Sequence, residues 1–279
     1  MTYQSVESRV RRGRMGIEYA EDEGIATITM DRIPSMNALD PRSMVDLRDA
    51  LLKFEEDNHL RVAILTGAGE KAFCAGADLK ETMPAQPYVS GLFDRNVDDK
   101  HPLYVRNISL PRLGITKPII AAVNGVAVGG GMELALNADI CICSPNARFG
   151  LTEPRVGSIP AVSGIQRLMQ ALPRSTAMQL LLTGEIIDAE RAHAYGIVSE
   201  VVTGEPLLQR ARAIALDIAA NAPLAVRAIK YLSQKALDLP VKEALEFEEL
   251  VWGHLHASKD RIEGRKAFAE KRKPLFKGC

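Results

Sequence analysis

The sequence has few aromatic residues and no excess of charge of either sign. Phe, Trp and Tyr make up 5% of the 279 residues, and tryptophan occurs once. Lysine and arginine together number 35, as do aspartate and glutamate, so the formal net charge is zero. Nucleic acids and anionic membrane surfaces select for a basic excess, so this balance argues against either as the main partner. No apolar run reaches the roughly 20 residues of a membrane span.

Cysteine and histidine are also scarce. Two of the four cysteines, Cys141 and Cys143, stand two residues apart in an apolar run, and no CxxC pair occurs. This usage predicts reduced thiols in a cytoplasmic protein of bacterial type. The five histidines show no HExxH or other metal-binding spacing, so no metal site is predicted. No serine lies in a G-x-S-x-G elbow, which leaves a serine triad without support.

The first fourteen residues carry four arginines and no apolar core region. They are therefore not a secretory signal, and we expect a disordered arm. A mitochondrial presequence is the alternative, but the stretch is short and has no amphipathic apolar face. Periodic sequence begins at Met15.

Up to about residue 160 the sequence alternates between strand and helix patterns. Asp40 and Pro41 predict the N-cap and first residue of a helix that ends near Asp57. The triple glycine Gly129–Gly131 opens a second, short helix. Four apolar runs predict strands, and this order predicts an α/β fold with parallel pairing. The predicted strands are 25–30, 61–67, 118–125 and 138–144.

From about residue 162 the pattern becomes mainly helical. Helices are predicted at 162–172, 174–182 and 189–195, the last with Asp188 as its N-cap. A strand is predicted at 197–202 and helix throughout 205–272. Within the last segment Leu207, Ala211, Ile214 and Ile218 mark one buried stripe. The predicted organisation is an arm (1–14), an α/β core (15–203) and a helical C-terminal region (204–279). Such a region must cover its apolar faces, so we expect oligomerisation.

Two nucleotide-binding patterns can be set aside. Residues 67–72 fit G-x-G-x-x-A after a strand, but the sequence continues into Phe73-Cys74-Ala75-Gly76, which breaks the required helix. The triple glycine is followed by Met132 and Glu133 rather than G-K-[ST], so it is not a P-loop.

What remains is a set of two glycine-containing loops and two glutamates. The loop 73–79 follows a buried strand, and Gly129–Gly131 stands at a helix N-terminus, where backbone N–H groups point outward. Two such donors that converge on one point form an oxyanion hole. Glu133 and Glu153 could divide acid and base work. Each feature alone also fits a plainer interpretation, a glycine turn for packing or a solvated glutamate.

Taken together, five segments resemble the enoyl-CoA hydratase/isomerase (crotonase) superfamily. The resemblance runs in order from about Gly16 to Gly278, nearly the whole chain. The segments are AFCAGADLKE (72–81), KPIIAAVNGVAVGGGMELALNADI (117–140), ARFGLTEPRVGSIPAVSGIQRL (147–168), LTGEIIDAERAHAYGIVSEVV (182–202) and AFAEKRKPLFKG (267–278).

The resemblance implies a spiral of repeated β-β-α units with a helical C-terminal region that drives trimers, or dimers of trimers. It implies an acyl-coenzyme A thioester as substrate and an enolate intermediate. By position, Ala77 and Gly130 would supply the oxyanion-hole N–H groups. The hydratases of the family use two glutamates, which Glu133 and Glu153 match. We expect Glu133 to act on the water and Glu153 to deliver the proton at C2.

The resemblance also implies how coenzyme A would be held, as part of the substrate and not as a permanently bound cofactor. The carbonyls of Ala75 and Ala77 match positions that read the adenine amino group, in a loop that continues through Asp78 and Leu79. Lys80 would face a phosphate, although a solvated lysine is an equal alternative. Phe268 and Lys271 match residues that reach the nucleotide of a neighbouring subunit.

Two segments depart from the pattern of straightforward hydratases. Ala161-Val162-Ser163-Gly164 replaces a glycine-richer run, and Leu151-Thr152 stands where Gln-Pro is seen in the family's short-chain hydratase. The segment 82–103, expected at the acyl site, has an uninformative sequence. The acyl group therefore stays open, as does the reaction, with a double-bond isomerase, a dehydratase of an unusual acyl group and a thioester hydrolase as alternatives. An RNA-contacting protein is an alternative of another class, supported only by the arginines of residues 9–14.

Overall fold

A six-stranded sheet lies at the centre of the fold, and a four-stranded sheet lies beside it. The computed structural model describes residues 16–81, 98, 100 and 103–279. The expected arm at 1–14 and most of the segment 82–103 lie outside the described residues. The strands are β1 (Ile17–Asp22), β2 (Ile25–Met30), β3 (Val62–Gly67), β4 (Ala72–Cys74), β5 (Ile119–Val123), β6 (Val126–Val128), β7 (Ile140–Cys143), β8 (Arg148–Gly150), β9 (Ile187–Asp188) and β10 (Glu200–Val201).

The larger sheet has the order β1-β2-β3-β5-β7-β10, and all its pairs are parallel except β1-β2. Its central strands β3 and β5 are buried along their whole length and are mainly apolar, because both faces are covered there. In β3, for example, Ala63 and Leu65 face one core cluster, whereas Val62 and Ile64 face another. The predicted α/β class with parallel pairing is confirmed.

The smaller sheet has the order β4-β6-β8-β9. Each of β4, β6 and β8 directly follows a strand of the larger sheet, so the chain passes from one sheet to the other and then, in most turns, into a helix. This produces the predicted strand-strand-helix repeat. It also corrects the prediction in detail, because β4 lies in a segment expected to be a loop.

Several helices begin where a side chain caps the first turn. They are α1 (Pro41–Glu56), α2 (Leu110–Leu113), α3 (Gly130–Asn137), α4 (Gly164–Ala171), α5 (Arg174–Thr183), α6 (Ala189–Ala194), α7 (Leu207–Ala219), α8 (Pro223–Ala236), α9 (Val241–His256) and α10 (Lys259–Ala269). The Asp40 carboxylate accepts from the Ser43 N–H at 2.7 Å, and Asp188 accepts from the Arg191 N–H at 2.9 Å. Both predicted N-caps are therefore confirmed.

The prediction of continuous helix over 205–272 is wrong. Four helices occupy the segment, because Pro223 and Pro240 open new helices and Ser258 caps the last. The predicted stripe is present on α7, where Ala211 is buried and Leu207, Ile214 and Ile218 pack against the larger sheet. The strand expected over 197–202 is reduced to Glu200–Val201.

Much of the apolar surface of the C-terminal region is exposed within one chain. No residue of α8 or α9 is fully buried, and Val241, Leu245 and Trp252 are 77%, 54% and 56% exposed. None of the helices in the described ranges is long and apolar enough to cross a membrane.

The last residues fold back along α10. Asp260, at the start of that helix, is 2% exposed, and its carboxylate accepts from the N–H groups of Lys277 and Gly278, both at 2.7 Å. The Asp260 N–H donates in turn to the Cys279 carbonyl at 3.1 Å. The four cysteines are unpaired, and Cys74, Cys141 and Cys143 are buried.

Candidate active site

Two glycine-containing loops meet where β4 and β6 end. A Cβ placed on Gly76 would lie 2.9 Å from the Val128 carbonyl oxygen and 3.0 Å from the Gly130 nitrogen. Gly76 also has a φ of +85°, a conformation that favours glycine. The sequence AFCAGAD therefore needs a glycine here for two reasons, and the result is close contact between the two loops.

Two backbone N–H groups at this contact have no acceptor in the part of the chain that the structure describes. Leu39 pairs with the loop by donating to the Gly76 carbonyl and accepting from the Asp78 N–H, at 2.8 and 2.9 Å. The Ala77 N–H lies between these two bonds and so faces away from Leu39. Gly130 is the first residue of α3, where an N–H has no partner within the helix. The Cβ position of Gly130 lies 4.0 Å from the Ala77 nitrogen, so the two donors are neighbours.

Glu133 lies in the first turn of α3 and is 3% exposed. Its Oε1 accepts from the N–H groups of Val162 and Gly164, at 2.9 and 2.8 Å. Burial raises the pKa of this carboxyl to about 7, and the two N–H donors and the nearby Glu153 change it by less. Glu133 can therefore exchange a proton near neutral pH.

Glu153 begins a short 3-10 turn after β8 and approaches the same place. Its Oε1 lies 3.5 Å from the position of a Cβ on Gly129. Its Oε2 is buried without a hydrogen-bond partner in the described residues. Burial raises the pKa of this carboxyl too. A buried carboxyl oxygen without a partner is in place to exchange a proton with a bound molecule.

The 161–164 loop, which binds the Glu133 carboxylate, has an unusual backbone conformation. Ser163 has a φ of +83°, which lets the N–H groups on either side of it converge on one oxygen. Gly164 must lack a side chain, since a Cβ there would lie 2.8 Å from Glu133 Oε1. A glycine would adopt this conformation more readily than the serine that stands here.

The structure places the remaining predicted residues of the 73–79 loop at its outer side. The Ala75 N–H donates to the Met36 carbonyl at 3.0 Å. The Asp78 carboxylate forms an ion pair with Arg32 at 3.1 Å, so it braces the loop. Leu79 is 61% exposed, and Lys80 is exposed next to it. Their predicted contacts with coenzyme A stay predictions.

Phe268 and Lys271 are not brought to this site by the single chain. Phe268, on α10, is 87% exposed, and Lys271 follows the end of that helix. Within the described ranges, no hydrogen bond or ion pair joins either side chain to the two glycine loops. This agrees with a role toward a neighbouring subunit, which stays a prediction.

Sequence reasoning missed three residues that shape the site. Arg32 bridges Asp78 and Asp40, at 3.1 and 3.0 Å. Ile108 packs against Gly130, with 3.2 Å between its Cδ1 and the Cβ position. Asn137, one turn beyond Glu133 on α3, gave a usable signal, because a polar residue at i+4 shares the helix face of Glu133. No group of three or more His, Cys, Asp or Glu side chains in the described ranges could hold a metal ion.

The sequence matches the family model described as "Enoyl-CoA hydratase/isomerase" over residues 20–279. It is 44% identical to (E)-benzylidenesuccinyl-CoA hydratase of Thauera aromatica over 255 residues, which cover 91% of this chain and 96% of the relative. It is 39% identical to carnitinyl-CoA dehydratase of Escherichia coli K12 over 259 residues, which cover 91% of this chain and 95% of the relative.

Solved structures give the same result. The crystal structure of an enoyl-CoA hydratase from Bacillus anthracis superposes with a TM-score of 0.84 at 35% identity, covering 95% of this chain and all of that one. An enoyl-CoA hydratase structure from Mycobacterium tuberculosis also gives 0.84, at 34% identity, covering 95% of this chain and all of the other.

Proposed function

The chain belongs to the enoyl-CoA hydratase/isomerase family, and we propose that it is a hydro-lyase that adds water to a 2-enoyl-CoA thioester and catalyses the reverse dehydration. The observation that carries the proposal is the convergence of two carboxyl groups, those of Glu133 and Glu153, on the loops that present two backbone N–H groups with no acceptor among the described residues. A family member that lacked either carboxyl would have no second group for proton transfer.

In the proposed reaction the thioester carbonyl oxygen accepts from the N–H groups of Ala77 and Gly130. Attack of water on C3 moves the π electrons toward this oxygen and forms an enolate. Backbone donors suit the step because they are fixed before the reaction and carry no titratable proton. An oxyanion-hole donor typically stabilises the transition state by about 3 to 4 kcal/mol.

The two carboxyl groups divide the protons. Ionised Glu133 takes one proton from the attacking water, and protonated Glu153 delivers one to C2, so the product is the 3-hydroxyacyl thioester. Two like charges in a buried site disfavour each other, which favours one proton shared by the pair. Return of a proton from Glu133 to Glu153, directly or through solvent, completes the cycle.

We propose that coenzyme A extends along the outer side of the 73–79 loop toward Lys80 and that a neighbouring subunit contributes Phe268 and Lys271. The large exposure of Phe268 in one chain supports this arrangement. It requires assembly, as a trimer or a dimer of trimers.

The test is a spectroscopic assay of the purified protein with a panel of 2-enoyl-CoA thioesters. The panel contains straight-chain, branched and aromatic acyl groups, together with the two substrates named by the relatives, (E)-benzylidenesuccinyl-CoA and carnitinyl-CoA. Hydration removes the absorbance of the conjugated thioester, and dehydration creates it. We expect Glu133→Gln and Glu153→Gln each to lower kcat far more than they change KM. Absence of any change across the panel would contradict the hydro-lyase proposal.

A further inference from the structure

Asn137 connects the main chain of α3 to the 161–164 loop. Its Nδ2 donates to the carbonyl of Glu133 at 2.8 Å and to the carbonyl of Val162 at 3.1 Å. Val162 is thus held from two sides, since its own N–H donates to the Glu133 carboxylate. The three residues form a closed circuit of hydrogen bonds around the base of the proposed reaction.

Arg167, on α4, sets the orientation of the Asn137 amide. Its Nε donates to the Asn137 Oδ1 at 3.1 Å. Because a guanidinium group has only donors, the amide oxygen must face Arg167 and the amide nitrogen must face the two carbonyls. The reverse orientation would leave two carbonyls opposite an oxygen and two donors opposite each other.

We propose that Asn137 is a positioning residue for Glu133, because it keeps the 161–164 loop in the conformation in which the Val162 and Gly164 N–H groups both point at Glu133 Oε1. The inference rests on the proposed function, in which Glu133 acts on water. Two donors occupy Oε1. Oε2 is therefore the atom that meets the water, and its direction depends on this loop.

The loop needs such a tie because Ser163 is held in a left-handed conformation. A non-glycine residue in this conformation carries backbone strain, and the conformation persists only where the surroundings determine it. Without the Asn137 bond to Val162, the loop can relax and move its N–H groups off the carboxylate. Glu133 would then lose donors that stabilise its ionised form.

The titration of the Glu133 carboxyl can be distinguished from that of the groups around it. Cys74 of β4 stays neutral because burial raises the pKa of its thiol to about 12. The guanidinium groups nearest in the fold are those of Arg167 on α4 and the exposed Arg112 on α2. Burial raises the pKa of the Glu153 carboxyl as well, so the Glu133 signal is assigned by its loss in Glu133→Gln.

The experiment compares Asn137→Leu with Asn221→Leu. Asn221 is a matched control, since its Nδ2 also donates to a carbonyl four residues earlier, that of Asp217 at 3.0 Å, at the end of α7. We expect Asn137→Leu to lower kcat about 10- to 100-fold with little change in KM. We also expect an upward shift of about one pH unit in the titration of the Glu133 carboxyl, followed by infrared spectroscopy without substrate. Asn221→Leu should change neither.

Arg167→Lys supplies a second variant that keeps the charge but loses the planar donor. It should change both readouts in the same direction as Asn137→Leu, by a smaller factor. In the Asn137→Leu background it should have no further effect, because it acts through Asn137. An unchanged Glu133 titration in Asn137→Leu would overturn the proposal. So would a double variant in which the effects of Asn137→Leu and Arg167→Lys simply add. A shifted titration in a protein that hydrates no thioester would retain this inference and reject the proposed function.

Discussion

At the scale of single residues, Glu133 keeps an acidic group in the protein interior at a cost in stability. Folding raises the pKa of its carboxyl from 4.5 to about 7, so between these values the folded state binds more protons than the unfolded state. Stability therefore falls as pH rises through this window. This sign is opposite to that of a carboxylate in a favourable ion pair, whose stabilisation is lost as pH falls.

Replacing Glu133 by glutamine should stabilise the protein above pH 7. Each pKa unit corresponds to about 1.4 kcal/mol, so a rise from 4.5 to about 7 gives an effect of about 3 kcal/mol at pH 8 and of less than about 1 kcal/mol at pH 5. Glutamine retains an oxygen that can accept from Val162 and Gly164. Denaturant unfolding at both pH values and one protein concentration measures the difference, with the exposed Glu56→Gln as control. An equal gain at both pH values would show that charge burial is not the cause.

At the scale of elements, the smaller sheet positions the chemistry. Its short strand β4 supports α3, and Gly131 lies at their contact, where a Cβ would lie 1.9 Å from the Cys74 carbonyl oxygen. A Cβ on the neighbouring Gly130 would crowd the terminal methyl group of Ile108, at 3.2 Å, and would lie at an ordinary contact distance of 3.6 Å from the Gly76 Cα. These adjacent glycines therefore differ in how well each would tolerate a side chain.

Gly131→Ala should lower the free energy of unfolding by about 3 kcal/mol or more, because a backbone carbonyl cannot move aside cheaply. Gly130→Ala should change it by less than about 1 kcal/mol, since a side-chain methyl group can rotate away. Thermal and denaturant unfolding of both variants measure the contrast. Similar stabilities for the two would show that α3 does not depend on close contact with β4.

The long strands and the capped helices could be predicted from sequence, because their signals are local. β3 is a continuous apolar run, and the pair Asp40-Pro41 marks the start of α1. The strands β4, β6 and β8 have three residues each, too few for a period-two pattern. Their pairing depends on neighbours that are distant in sequence.

The site was predictable to the same extent. Glu133 and Glu153 are candidates because each stands near a glycine turn and because the sequence resembles the family, whereas the bond from Asn137 to Val162 spans 25 residues and leaves no local pattern. The left-handed Ser163 was hidden for another reason, because serine is not a residue that marks this conformation. The breaks in the C-terminal helices were missed although prolines marked two of them.

At the scale of the whole molecule, the C-terminal region exposes apolar side chains that a monomer would leave in water. Val241, Leu245 and Trp252 lie on one face of α9, and each is more than half exposed. Faces of this kind mark subunit contacts. The proposed trimer would cover them.

Light scattering of the purified protein should therefore give three times the chain mass of 30.4 kDa, about 91 kDa, or twice that value. Leu245→Asp should shift the protein toward monomer and should lower acyl-CoA affinity in parallel, because the proposed site takes Phe268 from a neighbour. Ile33→Asp, at a residue outside the C-terminal region that is 53% exposed, is the control for the change in assembly. A monomeric wild-type protein with full activity would contradict the shared site.

The pair of backbone donors has an evolutionary consequence. Ala77 and Gly130 would act through N–H groups that every amino acid except proline possesses, so ordinary point substitutions change a side chain there and leave the donor in place. Heritable variation at this site therefore falls on the carboxyl groups and on the residues that border the acyl group. A lineage can exchange one acyl substrate for another, or one proton-transfer arrangement for another, while the capacity to stabilise an enolate passes unchanged from ancestor to descendant.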